Sequence, residues 1–334
     1  MKKIKKKIYA ASIGLGFGLL HAKVFKQNKF TQLVCVNDFN NKKKKLAMFL
    51  KTEFVMNADE IFKNKKINLL SIASFDNYHF EHLSKAIKNG KNILIEKPLC
   101  QNYNQFSKLK KIIKNKKILL TSNFVLRYHP KFKKVKELIM KNIIGKIYSI
   151  EGEYNYGRLD KLTKGWRGKI PFYSIVQGGG IHVIDLMKWL TNSSPVKAIS
   201  VGNNISTKRS SFKFNDNNIA LLTFRNGVIG KVTSNFSCVM PHNHYLKIYG
   251  KKGTIEVNLD KIILYKSRSN KSKPTLIKYK KNKDYKKELL NSFINCIKNN
   301  KKNYNPNLQD IFSSIATCFA IDKSIKSKKW EKIV

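Results

Sequence analysis

Ile8-Tyr9-Ala10-Ala11-Ser12-Ile13-Gly14-Leu15-Gly16-Phe17-Gly18-Leu19-Leu20-His21-Ala22 is the stretch on which the fold turns. Ile8 to Ile13 is apolar enough for a buried strand, Gly14 to Gly18 makes a tight loop, and Leu19 to Gln27 has helical spacing. A glycine loop that leaves a strand and opens a helix is the context of a dinucleotide fingerprint. Its glycines let the backbone approach a pyrophosphate, and the helix N-terminus offers N–H donors and a positive dipole end. The loop departs from G-x-G-x-x-G: Leu19 holds the third position, and Gly18 comes one residue early. About 20 residues on, Asp38 closes a second apolar strand, where a carboxylate can bind an adenosine ribose diol. That carboxylate repels a 2′-phosphate, so NAD(H) is expected over NADP(H), although Lys42 to Lys45 stand close enough to reverse the preference. The plainer alternative makes Asp38 a helix cap.

Outward from this unit the alternation continues. Strands are expected at Gln32 to Val36, Ile67 to Ala73, Asn92 to Ile95 and Lys117 to Thr121. Helices are expected at Lys42 to Leu50, Phe80 to Asn89 (with Gly90 as its C-cap) and Phe106 to Lys114. Strands alternating with helices at this spacing build a doubly wound parallel sheet. From Gly145 the pattern changes. Lys146 to Tyr156 is a long strand, and Ile219 to Phe224, Asn226-Gly227 and Val228 to Phe236 carry the strongest short-range hairpin signal. Tyr245 to Tyr249, Thr254 to Asn258, Ile262 to Tyr265 and Thr275 to Tyr279 add strands, and Ser267 to Lys273 is a polar loop. Helices are expected at Ile181 to Leu190, Tyr285 to Lys298 and Leu308 to Lys326. The expected fold class is α/β: an N-terminal Rossmann domain over residues 1–122, then an α+β domain over 123–334 with a large, mostly antiparallel open sheet. The C-terminal helix is free to pack back on the first domain.

The chain's 334 residues allow two domains, and 42% hydrophobic content supplies a core. The net charge of +47 invites a nucleic-acid reading. The lysines, however, are dispersed and accompanied by abundant Asn and Ile, the trace of an AT-rich coding sequence on tolerant surface positions. No nucleic-acid partner is expected; the charge favours anionic small molecules. Five scattered cysteines (Cys35, Cys100, Cys238, Cys296 and Cys318) form no CxxC pair, which fits a reduced cytoplasmic setting without disulfides or a bound metal. The basic, then apolar start resembles a signal peptide, but the glycine spacing explains it better. No other segment has the length of apolar sequence that a membrane helix requires.

Two further motifs carry chemistry. Ile93 to Ile95 runs into Glu96-Lys97-Pro98, and proline ends the strand because it has no N–H to donate. Lys97 is thereby held at the strand's carboxyl end, which in open α/β sheets faces the ligand crevice. The other is Gln177-Gly178-Gly179-Gly180-Ile181-His182-Val183-Ile184-Asp185, in which His182 and Asp185 share a helix face. A histidine beside a carboxylate suits a general base, and a satisfied structural histidine is the bland alternative.

A glycine-loop nucleotide domain, an E-K-P strand end and glycines before H-x-x-D together resemble the Gfo/Idh/MocA oxidoreductases. Asn77-Tyr78-His79, Phe124 to Pro130 with Arg127, Gly145-Lys146-Ile147 and Trp166-Arg167-Gly168 follow in matching order. The resemblance implies nicotinamide-dependent hydride transfer at a sugar, sugar-nucleotide or cyclitol carbon. It implies catalytic roles for Lys97, His182 and Asp185, with His182 taking the hydroxyl proton, Asp185 orienting the imidazole or binding a substrate hydroxyl, and Lys97 hydrogen-bonding the reacting oxygen and sharing the proton role. Cofactor contacts fall to Gly14, Gly16, Phe17, Gly18, Asp38, Ser74, Asn77, His79, Glu96 and Lys97. Substrate contacts fall to Arg127, Trp166, Arg167, Tyr173 and His182. Many relatives carry an Asp four residues before that histidine; here the position is Gly178, and Tyr173 is a candidate to replace it. Association through the outer face of the second sheet, as homodimer or homotetramer, is implied as well. Two alternatives stay open: an NAD-retaining glycosidase-type enzyme and a non-catalytic nicotinamide-bound regulator.

Overall fold

The computed structural model describes residues 7–301 and 304–334, so the basic start up to residue 6 lies outside the described residues. Two compact units result. One runs to Val125 and includes Asp284–Ile311; the other comprises Leu126–Lys283 and Phe312–Val334.

The first unit follows the order β1 (Ile8–Ile13), α1 (Gly18–Gln27), β2 (Thr31–Asn37), α2 (Lys44–Phe49), β3 (Glu53–Phe54), α3 (Ala58–Lys63), β4 (Leu69–Ile72), α4 (His79–Lys88), β5 (Asn92–Ile95), α5 (Tyr103–Ile113) and β6 (Leu120–Ser122). The six strands pair in the order β3-β2-β1-β4-β5-β6 and are all parallel, the doubly wound sheet that the alternation predicts. The order reverses between β1 and β4, and this switch point is where open α/β sheets bind ligands. Ala10, Ala11, Ile13, Leu69, Leu70, Ile72 and Ile93 to Ile95 are almost wholly buried, as strands covered on both faces must be. Helix α4 buries Leu83, Ala86 and Ile87 and ends at Lys88, with Asn89 rather than Gly90 as its C-cap and Gly90 just beyond it at φ +67°. The sequence pattern missed β3 and α3, which are too short to show a period.

The second unit contains α6 (Pro130–Met140), β7 (Ile147–Asn155), α7 (Asp160–Thr163), α8 (Ile181–Thr191), β8 (Pro195–Asn203), β9 (Asn217–Phe224), β10 (Ile229–Asn235), β11 (Asn243–Gly250), β12 (Gly253–Asn258), β13 (Lys261–Tyr265) and β14 (Thr275–Leu276). Helix α9 (Tyr285–Lys298) belongs to the first unit, where Asn291 accepts a hydrogen bond from Asn28. Helix α10 (Leu308–Ser327) and β15 (Glu331–Lys332) end the chain. Nine strands form one sheet in the order β14-β13-β12-β11-β7-β10-β9-β8-β15. Every neighbouring pair is antiparallel except β7 with β10, which is parallel because a long crossover containing α8 separates them. The β9–β10 hairpin turns at Asn226-Gly227, with Gly227 at φ +83°. Helix α8 is apolar nearly all round, with Ile181, Val183, Ile184, Leu186, Met187 and Leu190 buried, the composition of a helix covered on every side. Helix α6 and strand β8 were not read from the sequence. The first announces itself only by Pro130 at its opening position, with His129 as N-cap accepting from the Lys131 N–H.

Candidate active site

The carboxyl ends of β1, β2 and β4 to β6 carry the first group of candidate residues. Gly14 sits at φ +85°, and a Cβ there would lie 2.3 Å from the Ala73 carbonyl oxygen, so only glycine fits the turn. Around Gly16 there is open space, and the loop backbone there is exposed beside the N-terminus of α1. Phe17 is exposed, whereas Gly18 is buried against Ser12 and Ala73. The Asp38 carboxylate is 5% exposed and accepts from the Leu15 N–H (2.7 Å) and the Asn40 N–H (2.9 Å). It therefore ties the end of β2 to the glycine loop through backbone donors, with lone pairs left for a diol. Beyond it, Phe39 is exposed, its ring centroid 5.2 Å from that of Phe75. The sequence reading missed this pair; its one visible signal was an aromatic residue directly after the acid.

At the end of β5 the three motif residues separate. Glu96 is turned inward: its carboxylate accepts from Asn123 Nδ2 at 2.6 Å and lies 3.7 Å from the buried His21. Burial keeps the His21 pKa below the ordinary range, against the pull of Glu96. Lys97 is partly exposed and Pro98 is buried. His79, fully buried, reaches the Pro98 carbonyl with Nδ1 (2.6 Å) and the Ser74 carbonyl with Nε2 (2.9 Å), so it braces the segment that follows Lys97. The Ser74 hydroxyl meets His82 Nδ1 at 3.0 Å. Burial lowers the His82 pKa to about 4. Three buried acceptors near these strand ends, Asn77 Oδ1, Ser122 Oγ and Asn123 Oδ1, have no partner among the described residues. Buried acceptors of this kind are satisfied by ordered water or by the donors of a bound ligand. With the open glycine loop they fit the hydroxyl groups of a dinucleotide. Ser122 was not singled out by the sequence.

The second unit carries the other group. His182 is the second residue of α8, directly after a π-helical turn over Val176–Gly180. It stacks on Tyr154 of β7 (centroids 6.1 Å) and meets His244 of β11 edge-on at 6.3 Å. Tyr154 is the hub of a wall formed with Phe236 (5.5 Å), His242 (5.1 Å), His244 (5.2 Å) and Tyr156 (5.8 Å). Burial raises the Tyr154 pKa and holds that of His244 well down, so these two groups are neutral at ordinary pH. His242 and His244 were missed, because their neighbourhood is set by strand pairing.

Asp185 does not stand ready to orient His182. It is 1% exposed and bound in a fork by Arg127, with Nε to Oδ2 at 2.8 Å and Nη2 to Oδ1 at 2.6 Å. Arg127 is 3% exposed, so this pair belongs to the interior and anchors α8. The shared helix face of His182 and Asp185 was a sound reading of spacing, but helical spacing does not reveal a partner 58 residues away.

Tyr173 is 2% exposed and accepts from Arg167 Nε at 2.9 Å. The Arg167 guanidinium lies over the rings of Trp166 (4.6 Å) and Tyr173 (5.7 Å). A Cβ at Gly178 would lie 2.0 Å from the Tyr173 hydroxyl oxygen. Behind this, Asp322 of α10 accepts from Ser174 Oγ (2.8 Å) and Gln177 Nε2 (2.7 Å), and burial pushes its carboxyl up to about 6.

Residues 8–124 match the oxidoreductase family with an NAD-binding Rossmann fold, and residues 132–256 match the GFO/IDH/MocA C-terminal domain. The chain belongs to the GFO/IDH/MocA family. Among proteins, it is 24% identical over 254 residues to 2,7-anhydro-N-acetylneuraminate hydratase of Escherichia coli (strain K12), covering 74% of this chain and 66% of that protein. It thus spans just under two thirds of that relative's length. Among solved structures, levoglucosan dehydrogenase in complex with NADH and levoglucosan is similar with a TM-score of 0.87 at 18% identity, covering 98% of this chain and all of that one. Myo-inositol 2-dehydrogenase from Lactobacillus plantarum gives 0.82 at 20% identity, with the same coverage. At these identities the likeness is one of fold. Among the described residues of this GFO/IDH/MocA protein, no helix is long and apolar enough to cross a membrane, and no cluster of three or more His, Cys, Asp or Glu could hold a metal ion.

Proposed function

We propose that this chain is an NAD(H)-dependent dehydrogenase or reductase acting on a hydroxyl-bearing carbon of a sugar, sugar nucleotide or cyclitol. The observation that carries the reading is the open glycine loop tied by Asp38, with orphaned acceptors at the ends of β4 to β6. Gly14, Gly16 and Gly18 would hold the pyrophosphate, Asp38 the adenosine ribose, and Phe39 with Phe75 the adenine face. Asn77 and Ser122 would accept from ribose hydroxyls. When bound, the nicotinamide gives or takes the hydride. His182 holds the hydroxyl proton during oxidation, and Lys97 donates to the reacting oxygen, where negative charge develops. Tyr154 and its neighbours offer an aromatic wall for the apolar face of a sugar ring. Asp38, rather than a basic residue, at the end of β2 supports NAD(H) over NADP(H).

An acidic sugar suits this chain. The relative named for an N-acetylneuraminate derivative points to that class, and the exposed Arg158 lies over the Tyr156 ring (5.2 Å). The same relative's name, a hydratase, favours a second reading in which bound NAD is oxidised and reduced within one cycle. Product analysis separates the two, because the second leaves the net cofactor redox state unchanged.

A homodimer or homotetramer is part of the proposal. On the outer face of the second sheet Val201, Ile219, Leu221 and Ile229 are exposed on neighbouring strands. Apolar patches of this kind mark contact surfaces, and light scattering after gel filtration tests for a second copy.

The deciding experiment is calorimetric titration of cofactor-stripped protein with NAD(H) and NADP(H), alongside Asp38→Ala. Tight NADH binding that weakens in the variant supports the reading, and a sugar and cyclitol screen by nicotinamide absorbance then follows. Failure to bind either cofactor overturns it.

A further inference from the structure

The turn that delivers His182 to its place is held between two anchors. Val176–Gly180 is π-helical, and the Ile181 N–H reaches back five residues to the Val176 carbonyl. An α-turn over the same span would use one residue fewer. Each α-helical residue turns the chain by about 100° and advances it by about 1.5 Å. If the π turn relaxed to an α-turn with one flank fixed, the other flank would swing and shift by those amounts. His182 is the second residue beyond the turn, so it would take that displacement directly.

Both flanks are fixed within the second unit. On the far side Arg127 forks Asp185 of α8, at 2.8 and 2.6 Å. On the near side Asp322 of α10 accepts from Ser174 Oγ at 2.8 Å and from the buried Gln177 through Nε2 at 2.7 Å. Ser174 in turn accepts from the Gln177 N–H with its hydroxyl oxygen (3.2 Å) and from the Gly178 N–H with its carbonyl (2.8 Å). Cys318, one turn earlier on α10, turns its thiol to the Val176 carbonyl at 3.8 Å. The turn also bears on the wall where His182 sits. A Cβ at Gly179 would lie 2.3 Å from the Tyr154 ring, and one at Gly180 would lie 2.2 Å from Ser234 Oγ. Because His182 stacks on that same Tyr154 ring, a shift of the turn moves the imidazole on its stacking partner.

We propose that Asp322 is a positioning residue for His182: by holding Ser174 and Gln177 it keeps the π turn wound, and the turn sets the direction of the imidazole. This rests on the dehydrogenase reading above, in which His182 holds the hydroxyl proton. Asp322 exchanges no proton in this role and acts through two hydrogen bonds and the backbone of the turn. Turns of the π type recur at functional sites because the extra residue re-aims a side chain without breaking the helix that follows.

The test compares Asp322→Ala with Asp322→Asn in the full chain. The asparagine keeps an acceptor for Ser174 Oγ, and its amide N–H donates to Gln177 Oε1 once that side chain turns over, so the clamp survives. Alanine removes both acceptors. Asp322→Ala is expected to lower kcat on the order of 10²-fold with KM and NADH affinity within a few-fold, since a misplacement of about 1 Å is enough for such a loss. Asp322→Asn is expected to stay within about threefold of native. Two NMR readouts need no turnover. The Ile181 amide, which makes the π bond, should exchange at least about tenfold faster in Asp322→Ala, while the Leu186 amide in the middle of α8 is unchanged. The His182 ring resonances, set by the ring current of Tyr154, should move in Asp322→Ala and stay in place in Asp322→Asn. If Asp322→Ala does not fold, Ser174→Ala cuts the clamp from the other side, leaves Asp322 bonded to Gln177, and is expected to show the same losses at smaller size. If the native protein binds NADH but oxidises no polyol, the dehydrogenase reading fails, and Ile181 exchange with the His182 resonances still decides the clamp. A folded Asp322→Ala or Ser174→Ala protein whose Ile181 exchange, His182 resonances and kcat match the native protein overturns the proposal. So does an Asp322→Asn protein that loses as much turnover as Asp322→Ala.

Discussion

Replacing Asp185 by Ala should damage the fold before it damages the chemistry. The carboxylate is 1% exposed and accepts two near-parallel bonds from Arg127, at 2.8 and 2.6 Å, while Ser314 Oγ approaches at 3.4 Å. Removing one partner of such a buried pair leaves the other charge without compensation in a medium that solvates it poorly, at a cost of about 3–5 kcal/mol. For a unit of this size that is on the order of a 10 °C fall in Tm. Replacing both partners, as in Arg127→Met/Asp185→Leu, removes the charge along with its counter-ion, and apolar pairs of similar volume are often neutral in such sites. The double variant should therefore lie within about 1–2 kcal/mol of the native protein, far from the sum of the single losses. The assay is urea unfolding followed by far-UV circular dichroism, with a second probe because two units need not unfold together. A single Asp185→Ala variant costing less than about 1 kcal/mol would refute the reasoning, as would a double variant whose loss is additive. The experiment also separates two roles: an aspartate serving only to orient His182 would lose turnover with unaltered stability.

Gly14→Ala should abolish NADH binding and destabilise the first unit by several kcal/mol, because its Cβ would meet the Ala73 backbone 2.3 Å away at φ +85°; calorimetry and thermal melting report the two losses. Lys97→Ala is expected to lower kcat by about 10²-fold or more, and turnover within a few-fold of native would remove Lys97 from the mechanism. Asp322→Asn changes the pH dependence of stability. The folded-state pKa, about 6, lies above the ordinary carboxyl value of 3.8, so the folded protein binds the extra proton. The native stability should accordingly fall as pH rises from about 4 to about 6, and the variant, with nothing to titrate there, should lack that slope; parallel denaturation curves in the two proteins would contradict it.

The order of elements was legible because the signals for it are local. Buried strands of β-branched residues, the Gly14 to Gly18 loop, Gly90 after a helix and Asn226-Gly227 between alternating strands each follow from backbone geometry and the period of apolar positions. These were enough to place five of the six parallel strands and most of the larger antiparallel sheet in the right order along the chain. Short pieces such as β3 and α3 were invisible, since two to six residues carry no measurable period. What stands next to what was decided elsewhere. The fork of Arg127 on Asp185, the inward turn of Glu96 to Asn123, the wall of Tyr154, His242 and His244, and the parallel pairing of β7 with β10 all join residues far apart in sequence. Helical spacing could put His182 and Asp185 on one face, but it could not say that a guanidinium 58 residues earlier would claim the carboxylate. Likewise Gly178 read as an absence in the sequence, and only the packed structure shows the Tyr173 phenol filling it. Periodicity and turn chemistry act over a few residues, whereas partner choice in a close-packed interior depends on which distant surfaces the whole fold brings together.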